Sequence, residues 1–472
     1  MSRDNKCHIL ILGDFSGRDN LSLNDVQSLK TRKVFEVDRD NIDEIFQRMS
    51  VKYHSPLAEE ELVFKEMDDL HPDFIYENVE LFSRLRVLKR KLNNPQTFNA
   101  AADEIYQWSQ QKETQPDDKS SSIVAQQNEA NQGEGSILEN VLSNSQTSND
   151  NSAFDIQALI KDIVAPYVQP KPDPRLEELL ATIDDATSNL MRQLLHDGAF
   201  QNIESVWQSL NLLVRRIETT NSMKIFIADV SQKELIEDSV NDFEQSGLYQ
   251  LIVSSRSSIG DTPYNLVMHT DRFGQDIKDI EALQHLSKVA SKGSAVAVTS
   301  VTERLAGCES LALTPDLQEW GYTQNQKERE LWEAFRKTPE AAHLIAVAPR
   351  YLSRMPYGQK SMPIESFRFE ELDVDNRQSG YLWSSGAWLV VLLMAQNFST
   401  RDSLLAIRQC EVDNLPLHVY DEDGESMVTP CAEVNMSDKV FEALKEVGIC
   451  CIRSIKNKDS VLIPGINTVG YK

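Results

Sequence analysis

Hydrophobic positions along this chain change period several times, and each change marks a predicted element. Ile9–Leu12 is a short continuous apolar run closed by Gly13, the pattern of a buried strand. Val34–Val37 and Leu62–Phe64 have the same character. Between and after them the period becomes helical. Ile42, Ile45, Phe46 and Met49 share one face behind Asp40-Asn41, and Phe74, Val79, Phe82, Leu85 and Leu88 do so behind His71-Pro72-Asp73. A proline in the first helical turn beside an acid is ordinary helix-start chemistry, so His71-Pro72-Asp73 reads as a helix start rather than a co-chaperone tripeptide. A further helix is predicted from Pro95 to about Gln110, with Phe98, Ala101, Ile105 and Trp108 on one face.

The second half repeats this alternation on a larger scale. A helical region runs from about Arg175 to Ile217, with a break near Asp197-Gly198 and Trp207 on its second apolar face. Lys224–Val230 and Leu248–Val253 read as strands. Asn265–Thr270 is a strand feeding a helix from Gln275 to Ser291, with Ile277, Ile280, Leu283, Leu286 and Val289 inward, and Ala295–Val301 returns as a strand. A connection of that length joins parallel strands by a right-handed crossover. Leu344–Ala348 fits the same sheet. It opens a unit that passes through Arg350 and the corner Met355-Pro356-Tyr357-Gly358. Tyr381-Leu382-Trp383 then leads past Gly386 into the buried helix Ala387–Ala395. A hairpin is predicted from Leu415–Val419 through the acidic turn Asp421-Glu422-Asp423-Gly424 to Met427–Thr429. Asn435–Asp438 caps a helix ending at Gly448, and Ile449–Ile452 and Val461–Ile463 are the last strands.

Composition divides the chain. Residues 111–152 are rich in Ser, Asn, Gln, Glu and Gly, and such a segment cannot offset its ordering entropy by burying apolar surface. One interruption, Ser136–Leu142, places Ile137, Leu138, Val141 and Leu142 on a single helical stripe. It reads either as a transient helix in a linker or as a docking helix for a partner groove. A second amphipathic helix is predicted at Phe154–Tyr167. The fold class is α/β: a small α+β domain at 1–110, a polar linker at 111–152, and a larger mixed α/β domain at 153–472.

Charge and chemistry narrow the function. A formal charge of −25 over 472 residues argues against nucleic acid, since a phosphate-binding surface needs compensating Lys and Arg. No apolar run is long enough to span a bilayer, and a cytoplasmic protein is expected. The six cysteines show no C-x-x-C spacing and read as buried thiols. Gly13-Asp14-Phe15-Ser16-Gly17-Arg18 follows a strand but matches neither phosphate-loop pattern. His269 stands without a second His or Cys nearby and reads as a surface or capping residue. No catalytic group, metal set or cofactor site is predicted.

Three motifs of the first segment resemble the small subunit of the type VI secretion contractile sheath (TssB, or VipA). They are Gly13-Asp14-Phe15-Ser16-Gly17-Arg18, Asp38-Arg39-Asp40-Asn41 and Asp68-Asp69-Leu70-His71-Pro72-Asp73. From about Ser136 to Pro464 the chain resembles the large subunit (TssC, or VipB). The matching pieces include Trp207–Arg216, Ser246-Gly247-Leu248, Ala348-Pro349-Arg350 through Pro356-Tyr357-Gly358, Phe367–Glu371, Tyr381-Leu382-Trp383 and Pro430–Val434.

The resemblance implies a structural protein that binds sheath subunits, with the baseplate and the unfoldase ClpV as further candidate partners. The stripe Ile137, Leu138, Val141 and Leu142 sits where the family's large subunit carries its unfoldase-docking helix. Gly13, Asp14, Phe15, Arg18, Trp207, Arg350, Pro356, Tyr357, Gly358 and Trp383 are the expected assembly and core residues. Two departures stand out: both patterns lie on one chain, and the family's large subunit continues beyond the point matched by Lys472. These suggest an accessory that caps, initiates or regulates the sheath. A fused subunit that polymerises and an enzyme or ligand-binding protein on the same fold remain the alternatives.

Overall fold

A computed structural model describes residues 6–57, 61–112, 173–321, 326–373, 377–401, 403–405 and 407–471. The chain divides into two compact units, residues 1–83 with 184–472, and residues 84–183. The smaller unit is helical. Its core is Leu88, Leu92, Phe98, Ala101, Ala102, Leu179 and Ile183, with the Arg175 guanidinium 5.4 Å from the centre of the Phe98 ring.

The larger unit is built on seven strands: β1 (Cys7–Gly13), β2 (Val34–Val37), β3 (Met223–Asp229), β4 (Leu266–Phe273), β5 (Val296–Val301), β6 (Leu344–Ala348) and β7 (Ile449–Cys451). Their order across the sheet is β7-β6-β5-β4-β1-β3-β2. Only β2 runs antiparallel, along β3 at the edge. β1 lies in the interior of the sheet. It pairs in parallel with β3 from Cys7↔Met223 to Gly13↔Asp229, and with β4 from Ile9↔Leu266 to Leu12↔His269. The N-terminal segment therefore supplies an internal strand to a sheet otherwise drawn mostly from residues beyond 220.

A strand buried on both faces has no polar side to spare, which is why Cys7–Leu12 reads as a near-continuous apolar run. Its alternate residues enter two cores. Ile9 and Ile11 belong to the core on one side, to which α1 (Ile42–Met49), α3 (Gly198–Arg216) and α5 (Ala387–Arg401) also contribute. Leu10 and Leu12 belong to the core on the other side, to which α4 (Ile277–Lys292) and, at the far edge of the sheet, α6 (Asp438–Glu446) also contribute. The remaining labelled helix, α2 (Leu176–Leu195), ends two residues before Asp197, whose carboxylate accepts from the Ala199 and Phe200 amides and starts α3. The break near Asp197-Gly198 is thus a capping event. The crossover β4–α4–β5 and the membership of β6 in the same sheet are as the pattern predicts.

Several expectations need correction. Leu248–Val253 is helical, within a run from Gly247 to Ile259 that includes a π turn. Ser246 caps it, and the Asp238 carboxylate accepts from the Gly247 and Leu248 amides at 2.7 and 2.9 Å. Leu248, Leu251 and Ile252 then face inward at helical spacing, so a run too short to choose its period alone is decided by its caps. Ile277 opens α4 and is 41% exposed, unlike its successors. The hairpin pairs Val419–Glu422 with Glu425–Val428, nearer the turn than predicted, because Pro416 has no N–H for a ladder. His269 is fully buried inside β4 rather than at the surface. Its Nδ1 accepts weakly from the Asp271 amide at 3.3 Å. Five cysteines are buried and Cys410 is half-buried. Among the described residues no helix is long and apolar enough to cross a membrane.

Candidate assembly site

The hexapeptide after β1 is held by groups from the second segment. The Asp229 carboxylate at the end of β3 accepts from the Phe15 and Ser16 amides and from the Ser16 hydroxyl at 2.7–3.1 Å. Asp14 turns back on its own loop and accepts from the Arg18 and Asp19 amides. Arg18 grips Glu234 through Nε and Nη2 at 3.2 and 2.9 Å, and Arg32 holds the same carboxylate. Glu234 is itself the third residue of a capping box with Ser231. Phe15 is fully buried, its carbonyl accepts from Trp207 Nε1 at 2.8 Å, and the two rings meet edge-on at 5.4 Å. A Cβ on Gly13 would lie 2.3 Å from the Thr270 hydroxyl, so only glycine lets β1 approach β4 there. Gly13, Asp14, Phe15, Arg18 and Trp207 form one contiguous lock.

The Pro–Tyr–Gly corner is fastened elsewhere on α3. Arg354, which the motif reading passed over, is 6% exposed and lies between two buried carboxylates. Its Nε and Nη2 reach Glu204 of α3 at 2.5 and 3.1 Å, and its Nη1 and Nη2 reach Glu371 at 2.7 and 2.9 Å. Glu371 also accepts from the Tyr357 amide, and the Tyr357 ring centre is 4.2 Å from the guanidinium carbon. Gly358 approaches the Glu370 carboxylate so closely that a Cβ would sit 2.4 Å from it. The first segment reaches this corner too: Asp73 accepts from the Glu365 and Ser366 amides at 3.0 and 2.8 Å, and His71 stands edge-on to Tyr357 at 5.0 Å. Pro356 is buried inside the corner. Burial raises the Glu204 carboxyl, against the opposing pull of Arg354.

Arg350 pairs with Glu433 at 2.5 Å, and Trp383 donates to the Gln378 carbonyl at 2.8 Å. Both line a polar cavity of ≈ 400 Å³ at the carboxyl end of β4, together with Asn202, Gln232 and Asp271. The expected residues thus fall into two locks and one cavity wall, all fastened to α3 or the sheet ends. Glu204, Asp229 and Glu234 are not singled out by the sequence reading, and Glu371 enters it only as the end of the Phe367–Glu371 match. A charged residue on an apolar helix face was the available signal, since Glu204 is flanked by Ile203, Val206 and Trp207. The stripe Ile137, Leu138, Val141 and Leu142 and the helix predicted at Phe154–Tyr167 lie outside the described residues.

A register shift between Met268 and Arg272 re-aims Asp271, whose carboxylate accepts from the Gln232 amide at 3.1 Å. Burial, reinforced by Asp14 and Asp19, pushes the Asp271 carboxyl from 3.8 up to about 7. A raised carboxyl contributes stability that is complete below its unfolded value and lost as pH climbs through its folded value. D271N should therefore match the parent near pH 4 and become more stable than it by on the order of 2 kcal/mol at pH 8. Melting curves of both proteins from pH 4 to 8 check this, and a stability difference independent of pH would refute it.

Residues 177–470 match the VipB family, described as the EvpB tail sheath N-terminal domain, and residues 6–113 match the type VI secretion system VipA family. A relative, the type VI secretion system sheath protein TssC1 of Pseudomonas aeruginosa, is 25% identical over 305 residues. The match covers 62% of this chain and spans 61% of the relative's length.

Proposed function

The chain belongs to the VipB tail sheath family and carries a VipA-type segment ahead of it, and from that premise we propose that it is a structural component of a type VI contractile sheath. In this reading one chain provides both halves of the protomer body. The observation that carries it is β1, an internal strand of the sheet hydrogen-bonded on both sides to strands of the VipB-type segment. The protein works in the cytoplasm, catalyses no reaction, and has sheath subunits as its partners, with the baseplate and the ClpV unfoldase as further ones.

Within that role we assign it to the end or the start of a sheath, where it caps or regulates growth. The formal charge of −25 favours this over self-assembly. Stacking identical acidic protomers brings like charges together, and at physiological salt screening acts only beyond about 8 Å. Negative-stain electron microscopy tests the assignment. The purified protein at neutral pH should show single particles or small closed oligomers, and mixed with full sheath subunits it should sit at tube ends and shorten the tubes. Long tubes formed from this chain alone would make it an ordinary fused subunit. Failure to associate with sheath subunits would remove the reading.

A further inference from the structure

β1 lies where the fold changes direction. From β1 the chain reaches β3 on one flank past α1 and α3, whose apolar residues share the core on one face of the sheet. From β3 it crosses back to β4 on the other flank, and Leu235, Leu248 and Leu251 of that connection lie in the core on the opposite face. Connections that leave neighbouring strands toward opposite faces part at the carboxyl ends of those strands. They leave a crevice there, the usual place for a ligand in an open parallel sheet. The polar cavity of ≈ 400 Å³ occupies that crevice. Asp19 follows β1, Gln232 follows β3, Asp271 comes from the end of β4, and Gln201 and Asn202 belong to the first turns of α3. The volume is in the range of small-molecule sites.

The charges around the crevice are matched with one exception. Arg272 pairs with Glu303, Arg350 with Glu433, and Asp19 with Lys233. Asp271 has no Lys or Arg within ion-pair distance among the described residues. His269 Nδ1, 3.9 Å away, is kept neutral by burial. The Asp271 side chain keeps 11% of its surface open and stands in the cavity wall, so a ligand in the crevice meets it. Without a cation this carboxyl holds a proton instead: burial, with Asp14 and Asp19 adding to it, raises it to about 7. One carboxylate oxygen already accepts from the Gln232 amide at 3.1 Å, which closes the two-pronged approach of a guanidinium and favours a compact point charge. Asn202 donates to the same carboxyl, so its own amide oxygen is left to accept. An anion would meet guanidiniums already neutralised, and among the described residues no three acidic, His or Cys side chains are arranged to hold a metal ion. We propose that this crevice binds a primary ammonium group, held by Asp271, with the side-chain amides of Gln201 and Asn202 accepting further N–H bonds. The proposal stands on the crevice and does not depend on the sheath assignment.

Calorimetric titration of the full chain at low salt tests it, with propylammonium, propylguanidine and uncharged propanol as probes. At pH 8 propylammonium should bind, propylguanidine more weakly, and propanol not at all. The ammonium displaces the proton on Asp271, so its affinity should fall about tenfold from pH 8 to pH 6. At pH 6 the binding heat should differ between phosphate and a buffer of larger ionisation enthalpy, because a proton is released. D271N keeps the shape of the wall and is expected to fold at least as well as the parent. It should weaken propylammonium at least about tenfold, the scale for losing one charge-assisted contact, and remove the proton release. Asp14 is also raised, to about 6, but it is bonded to its own loop, and D271N separates the two groups. Proton release is read on the parent, so the test survives even a D271N that melts early. A second arm uses an acetylated lysine-bearing tripeptide. Peptide binding at least as tight as propylammonium assigns the site to a lysine of a neighbouring protein, and binding of propylammonium alone assigns it to a free amine. No heat from propylammonium, equal binding of propanol or of D271N, or no proton release at pH 6 would overturn the proposal.

Discussion

Arg354→Met is expected to cost the folded chain about 3–5 kcal/mol, the scale for leaving buried charge without its partner. The single guanidinium serves Glu204 and Glu371 at once, and both carboxylates are almost fully buried. Methionine fills similar volume but donates nothing, so two desolvated carboxylates would face each other. The loss should depend on pH in a definite direction. Glu204 is already raised by burial, and removing Arg354 removes a group that lowers it. A raised carboxyl loses its stabilising contribution as pH rises through its folded value, so the variant should be worst at pH 8 and recover partly at pH 5. Urea unfolding of parent and variant at both pH values checks this. A loss under about 1 kcal/mol would mean that the triad is dispensable, and one that deepens in acid would mean that unpaired carboxylates are not its cause.

Cutting the chain at a protease site engineered after residue 130 should leave two pieces that co-elute on gel filtration. The piece carrying β1 contributes Ile9, Leu10, Ile11, Leu12 and Phe15, all fully buried in the sheet and its two cores. At roughly 1.5–3 kcal/mol for each buried side chain, these five alone give a gross contribution on the order of 10 kcal/mol. The Arg18–Glu234 and Asp73 contacts add directionality. The tether raises effective concentration but is not what holds the pieces. Separation in native buffer would show that β1 is held far more loosely than its register implies. Expressed without residues 1–83, the remainder would expose the facing edges of β3 and β4, and it should aggregate rather than fold.

Much of this architecture was legible because local rules and the global fold agree. The run Ala295–Val301, the helix before it and Leu344–Ala348 each announced a parallel α/β sheet, and Asp197-Gly198 announced its helix break. The failures have physical causes. Leu248–Val253 carries a β-rich composition, yet Ser246 and Asp238 cap it into helix, and Asp238 lies ten residues before Leu248 in the sequence. His269 looked peripheral only because its strand was placed too short: β4 continues to Phe273, which puts the imidazole inside the sheet. The Arg354 triad was hidden for a different reason. Glu204 lies 150 residues before Arg354, and no periodicity couples them. The two locks around α3 were partly visible as motifs, but what those motifs bind emerged only when the carboxylates arrived from distant elements.

The position of β1 also sets a timetable for the nascent chain. Cys7–Gly13 is made long before either neighbour, Met223–Asp229 or Leu266–Phe273, exists to pair with it. At ribosomal speeds of about 5–20 residues per second, roughly 10–50 s separate the synthesis of β1 from that of β4. Through that interval an apolar strand has no sheet to enter, and its pairing is among the most non-local in the chain. Carrying both segments on one polypeptide means that the waiting strand never has to find a second molecule and that the two halves appear in a fixed one-to-one ratio. The delay falls within a single round of translation and not in a search through the cell.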